Sequence, residues 1–363
     1  MCIAHQIDMQ QVEQFGEKLL GILNGGSLSL MISVGHRTGL FDVMSQLPPS
    51  TSHEIAEKAG LNERYVREWL GAMTVGGVVD CNPDGPRYSL PAEHAVCLTR
   101  AAAADNIAVF SQYISQLGSV EDRIVECFKN GGGVAYEEYK RFHEIMAEDS
   151  GQSVVSSLTD RILPLVPGLI KELKLGIDVL DIGCGMGRAL ILMAQTYPES
   201  RFTGYDLSKE TIQAAQNEAN RLGLTNIRFE VRNLTDFDET AEAERYDLIT
   251  AFDAIHDQAR PDRVLAGIYK SLKSKGNFLM QDIAGSTYHH ENYDHPIAPL
   301  LYTVSCMHCM TVSLAQGGMG LGAMWGKEKA LEMLNEAGFN DIVIRNLDHD
   351  FQNNYYIITK NLN

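Results

Sequence analysis

Apolar and polar positions follow two rhythms along this chain, and the change of rhythm divides it. From 10 to 45, Val12, Phe15, Leu19, Leu20 and Leu23 recur at helical spacing. In "PPSTSHEIAEKAGLNERYVREWLGAMTVGGVVDCNPDGPRYSL", Thr51 and Glu54 have capping-box spacing and predict a helix ending at Gly60. Asn62 predicts a second helix start, with Val66, Trp69, Leu70 and Met73 on one face and Gly76-Gly77 at its end. The short strands "VVD" and "RYSL" follow, joined through Asp84-Gly85. Helices followed by a hairpin predict an α-helical winged-helix domain over 1–100. A helical linker over 101–172 comes next, its "GGG" at 131–133 marking a loop.

From 177 onward, strands and helices alternate. "DVLDIG", "RFTGYD", "IRFEVRN", "YDLITAFDAI" and "NFLMQDI" read as strands, separated by "GRALILMAQTY", "KETIQAAQNEANRLGL" and "PDRVLAGIYKSLK" as helices. That alternation predicts an α/β, doubly wound sheet over 173–363, which takes ligands at the carboxyl ends of its strands. The segment 285–326 interrupts the pattern as an insertion.

Composition narrows the partners. Asp and Glu outnumber Lys and Arg by 47 to 30, for a formal charge of −17, which opposes nucleic acid as a partner. Glu63 and Glu68 on the second winged-helix helix point the same way. The start, "MCIAHQIDMQQVEQF", lacks the basic-then-apolar order of a leader, and no uninterrupted apolar run reaches a membrane span. Seven cysteines do not form a disulfide framework. A soluble cytoplasmic protein without a membrane partner is expected.

The candidate chemistry begins in "VLDIGCGMGRAL". Gly183, Gly185 and Gly187 give G-x-G-x-G, and Arg188 stands where a dinucleotide fingerprint has its third glycine. Asp181, two residues before the first glycine, would repel a pyrophosphate and attract a cation. S-adenosylmethionine, with an ammonium, a sulfonium and no phosphate, suits it. Asp206, ending the next strand 19 residues after Gly187, is placed to hold ribose hydroxyls. Asn233 ends the third strand and suits either an adenine edge or a plain turn.

"VLDIGCGMG", "GYDLS" and "YDLITAFDAIHD", in this order, resemble a class I S-adenosylmethionine-dependent methyltransferase over about 170–360. "GFNDIVIRNL" and "NNYYIITK" match the reversed carboxyl-terminal hairpin of that seven-stranded Rossmann-like fold. With a winged helix in front, the chain is similar to small-molecule and natural-product O-methyltransferases, which implies a homodimer through the amino-terminal domain. The resemblance implies a cofactor site of Asp181, Gly183, Cys184, Gly185, Gly187, Asp206, Leu207, Asn233, Leu234 and Phe252, with S-adenosylhomocysteine as product. Cys184 would contribute its backbone. Asn233 departs from the family's more usual aspartate.

His256 in "AIHDQARP" is the candidate general base and Asp257 its orienting partner, although Gln258 replaces the aromatic that follows in plant relatives. The insertion carries His289, His290, Asp294, His295, Cys306, His308 and Cys309 without standard ligand spacing, so no metal is expected. A helix over 297–315 is expected to line the acceptor pocket, with Tyr302, Met307, His308, Met310 and Trp325 as candidate substrate contacts, and "QGGMGLGAMWG" as a flexible loop. The expected activity is methyl transfer to a small-molecule acceptor, through an oxygen nucleophile. The alternatives are a nicotinamide-dependent oxidoreductase and a winged-helix regulator that senses a ligand without turning it over.

Overall fold

The computed structural model describes residues 7–361. The first six residues of the stretch inspected for a leader lie outside them. Two compact units result, Met1–Ser115 and Gln116–Asn363, so the expected linker is divided and most of it joins the second unit.

In the first unit Asp8 caps the helix Met9–Thr38, accepting from the Gln10 and Gln11 amides. Gly39, at φ 72°, ends it. The capping box forms: Thr51 Oγ1 accepts from the Glu54 amide and Glu54 Oε2 from the Thr51 amide, starting Ser52–Ala59. Asn62 caps Glu63–Val75. The wing is β1 (Asp80–Asn82), two residues later than the expected "VVD", against β2 (Arg87–Ser89). Phe41 packs edge-on to Trp69 at 5.3 Å, and the Trp69 indole donates to the Met31 carbonyl, locking Met9–Thr38 to Glu63–Val75.

The amino-terminal half of Met9–Thr38 buries little: Phe15, Leu20 and Leu23 are 58, 62 and 66% exposed. Met9–Thr38 and Ala298–Ala315 are both long and apolar enough to cross a membrane, against the expectation of no such segment. Counting uninterrupted apolar runs missed them, because Gly and Ser interrupt a run while hardly lowering mean hydropathy.

The second unit is built on a seven-stranded sheet. Its strands are β3 (Asp178–Ile182), β4 (Arg201–Asp206), β5 (Ile227–Val231), β6 (Tyr246–Phe252), β7 (Leu272–Ile283), β8 (Asp341–Leu347) and β9 (Asp350–Thr359). Their spatial order is β5-β4-β3-β6-β7-β9-β8. The first five run parallel, and β9 is antiparallel to both neighbours, which is the reversed hairpin read from the tail. β3 is buried at every position, as a central parallel strand must be when helices cover both faces. The order reverses between β3 and β6, opening a crevice at their carboxyl ends.

The glycine turn sits at that crevice, and its glycines have different reasons to be there. Gly187 has φ 68°, and a Cβ there would fall 2.5 Å from the Phe229 ring, so this glycine lets the helix Arg188–Thr196 approach the sheet. Gly185, at φ 51°, would meet nothing within 4 Å, because it faces open space. One glycine serves packing; the other leaves room for a ligand.

Candidate functional site

A cavity of about 570 Å³ opens at the carboxyl ends of β3, β4 and β6. Asp181, Gly183, Cys184, Gly185, Asp206, Leu207, Asn233, Leu234 and Phe252 all line it; Gly187 does not. Asp181, 3% exposed, accepts one hydrogen bond, from Thr250 Oγ1 on β6 at 2.7 Å. Burial pushes its carboxyl up to about 7, with the Thr250 bond opposing and the Asp206 charge adding. A buried carboxylate with so little compensation favours a cationic ligand over an anionic one.

Asp206 is held open to the cavity from below. Its Oδ2 accepts from the Gly185 amide at 2.9 Å and its Oδ1 from the Ser208 amide at 2.8 Å, tying the glycine turn to the end of β4. Asn233 Oδ1 accepts from the Thr235 amide at 3.0 Å, so the turn expected of it forms while the residue lines the cavity. Burial pushes the Cys184 thiol up, with Asp181 and Asp206 adding, which keeps it neutral.

The two residues expected to act as base and orienting partner separate. Asp257 lines the cavity, and burial pushes its carboxyl up to about 6 against the opposing charge of His256. His256 is 3% exposed and does not line it. Its Nδ1 contacts Asp282 Oδ1 at 2.8 Å, at the end of β7, and Cys309 stands beside the ring. Burial alone would lower the imidazole, but the Asp282 carboxylate overrides it and holds the ring well above its ordinary value. The Asp282 contact thus fixes the ring's orientation and favours its protonated form.

The insertion folds as a support for this floor. Its helix runs Ala298–Val304, loosens to a π turn at Ser305–Cys309 and resumes at Met310–Ala315, with His308 and Cys309 buried at the turn. Trp325 is buried, and its indole donates to Asp282 Oδ1 at 2.9 Å beside His256. Tyr302 accepts at its hydroxyl from Asn292, and the Met307 carbonyl accepts from the Tyr139 hydroxyl. His308 stacks on Phe142, and burial drives its imidazole well below the ordinary value. None of Tyr302, Met307, His308, Met310 and Trp325 lines the cavity; from this helix Val312 does, with Gln316 just beyond it. The glycine-rich run is tied down, Met319 donating its amide to the Ala259 carbonyl at 2.9 Å. Among the described residues no three His, Cys, Asp or Glu side chains converge as a metal site requires.

The wall opposite the glycine turn comes from the segment read as linker. Phe142, Met146 and Ser150, four residues apart on the helix Phe142–Ser153, form one stripe that continues to its C-cap Val154, and they line the cavity with Tyr136 and His143. That i, i+4 stripe was the available signal. Tyr136 hydroxyl and His143 Nδ1 lie 3.2 Å apart, and burial lowers the His143 imidazole. Asp253, just past β6, is a further wall residue that sequence reasoning missed.

Residues 26–100 match a family described as the Rv2258c-like winged HTH domain, and residues 173–338 match a methyltransferase domain. Residues 173–338 thus form a methyltransferase domain behind a winged HTH domain. The fold of a putative O-methyltransferase from Nostoc punctiforme superposes with a TM-score of 0.69 at 18% identity, covering 95% of this chain and 98% of that one. Human N-acetylserotonin methyltransferase, solved with S-adenosylmethionine, gives 0.64 at 16% identity, covering 99% of each. In sequence, (S)-coclaurine N-methyltransferase of Papaver somniferum is 27% identical over 150 residues, 41% of this chain and 41% of its own length. The chain thus matches about two fifths of the length of that curated relative. In this methyltransferase the glycine turn, Asp181 and Asp206 fit an adenosyl cation: a buried carboxylate with one donor, an open glycine and a second acid lie on one cavity.

Proposed function

We propose that this methyltransferase transfers the methyl group of S-adenosylmethionine to an oxygen of a small-molecule acceptor. The observation that carries the reading is a single cavity bearing both the Asp181–Asp206 turn and a further acid, Asp257, pushed up to about 6. When bound, the cofactor supplies an electrophilic methyl and is released as neutral S-adenosylhomocysteine, so the chain's own task is to orient a lone pair and take a proton. Asp181 holds the ammonium, Asp206 the ribose hydroxyls, and Asn233 with Leu234 the adenine side; Leu207, Phe252, Gly183, Cys184 and Gly185 shape the turn. Asp257 accepts the proton that the acceptor hydroxyl gives up as its oxygen gains the methyl. His256, expected as the base, instead acts beneath Asp257 as a cation that keeps part of its carboxyl ionised. Tyr302, Met307, His308 and Trp325 act by supporting the wall.

Titration calorimetry with S-adenosylhomocysteine, and with NAD in parallel, tests the cofactor. Saturable nucleoside binding without NAD binding is expected; tight NAD binding would revive the oxidoreductase reading.

Two copies associate through the exposed apolar face of Met9–Thr38, where Phe15, Leu20 and Leu23 would otherwise stay wet. Light scattering should give twice the chain mass, and Leu20→Glu with Leu23→Glu should halve it. A monomeric parent would refute the association. Nucleic acid is not a proposed partner, because Arg64 and Arg67 on the helix Glu63–Val75 are paired with Glu68 and Glu63.

A further inference from the structure

The wall helix Phe142–Ser153 has little of its own to hold it in place. Arg141 precedes it without a side-chain cap, and no glycine closes its end at Val154. Gly151 lies inside it, where glycine weakens a helix relative to alanine. Beyond it the chain breaks into short irregular pieces, a 3₁₀ turn at Val155–Ser157 and a π turn at Leu158–Ile162. Such a segment stands where tertiary contacts put it.

At its start Phe142 stacks on His308, with ring centroids 3.4 Å apart. At its middle the Arg188 guanidinium donates to the Ala147 carbonyl at 2.6 Å. Gly151 finds its reason here. A Cβ on it would stand 3.2 Å from Arg188 Nη1, so the missing side chain admits the guanidinium. The wall helix gives up helix propensity at the position that Arg188 covers.

Arg188 also belongs to the cofactor side. It is the first residue of the helix Arg188–Thr196, directly after Gly187, and it lines the cavity. Glu218, which feels its charge, is held by Arg221 through two hydrogen bonds, so the guanidinium is left to the wall. Its place follows from the turn before it: Gly187 holds φ 68°, and Asp206 Oδ2 grips the Gly185 amide at 2.9 Å. Ala147 and Ser150 line the same cavity from the wall. One side chain therefore bridges the two halves of the site.

We infer that Arg188 is a positioning residue: through Ala147 it docks the acceptor wall on the glycine turn, so the acceptor pocket is complete once S-adenosylmethionine has fixed that turn. The inference rests on the methyl-transfer reading above. It requires the ligand to favour the docked wall over the undocked one, a coupling between two parts of one cavity.

Hydrogen–deuterium exchange of the full chain, with and without saturating S-adenosylhomocysteine, reads that coupling peptide by peptide. In the parent the ligand should slow exchange in the glycine turn. It should also slow it in Phe142–Ser153 by about fivefold or more, the scale of one hydrogen bond at a partly buried site. Arg188→Met keeps a long side chain and loses the donors. There the glycine turn should still be protected by ligand, while the ratio for the wall falls to about twofold or less. A merely structural Arg188 would speed wall exchange equally with and without ligand, leaving that ratio unchanged in the variant and overturning the inference. No ligand protection of the wall in the parent would overturn it too. Arg188 is exposed, so its truncation leaves the core intact, and the parent comparison stands alone should the variant fail to fold. Either negative result leaves methyl transfer standing. Failure of S-adenosylhomocysteine to bind the parent, read by calorimetry, would sink both.

Discussion

Asp181→Ala is expected to weaken S-adenosylhomocysteine binding by about 10²-fold, the upper range for losing one hydrogen bond to a charged group. The carboxylate is 3% exposed and fixed by Thr250, so it is already aimed, and no ordering cost offsets its bond to the ligand ammonium. The titration sign follows from its raised value of about 7. The ligand cation prefers the ionised form, so affinity rises as pH climbs through 7, and binding below that pH releases a proton. Calorimetry in two buffers of different ionisation enthalpy reads that proton directly. Asp181→Asn, which keeps the side-chain shape, should lose both the proton release and most of the pH dependence. Wild-type affinity in both variants would place the cofactor elsewhere.

Asp257→Asn should cut kcat by about 10²- to 10⁴-fold, the usual contribution of a positioned base, with a much smaller change in cofactor affinity. In the parent enzyme kcat should rise with pH through about 6, because the carboxylate is the working form and protonation below that value removes it. His256→Gln removes the buried cation that opposes the rise in the Asp257 pKa, so the limb should move to higher pH in that variant. Were His256 itself the base, its loss would abolish the limb instead of moving it, and Asp257→Asn would retain most of kcat. The pH profile therefore separates two assignments that a single activity measurement would not.

The neighbouring positions 256 and 257 mark where the sequence stopped being informative. Residue type and place after β6 identified both, but which one faces the cavity depends on β7, which brings Asp282 beneath the ring, and on the π turn, which brings Cys309 beside it. Those contacts span 26 residues for Asp282 and more for Cys309, beyond the reach of any local pattern. The insertion gave a similar lesson. Its apolar stripe was legible as a helix, yet the aromatic residues Tyr139 and Phe142 cover His308, and so the wall it was expected to provide comes mainly from the helix Phe142–Ser153.

By itself the sequence determined the local and the periodic: the capping box at Thr51, the wing, the strand–helix alternation, the reversed hairpin and the glycine turn with its two acids. These depend on backbone conformation and on periodicity within about a dozen residues, where side-chain type dictates the outcome. Tertiary structure alone decided the acceptor side: that a supposed linker forms the wall, and that His256 lies under the floor while Asp257 lines the cavity. Burial sets those properties, and burial depends on which distant segments close over a residue. An aspartate reads the same in the sequence whether water, an arginine or an empty cavity stands beside it.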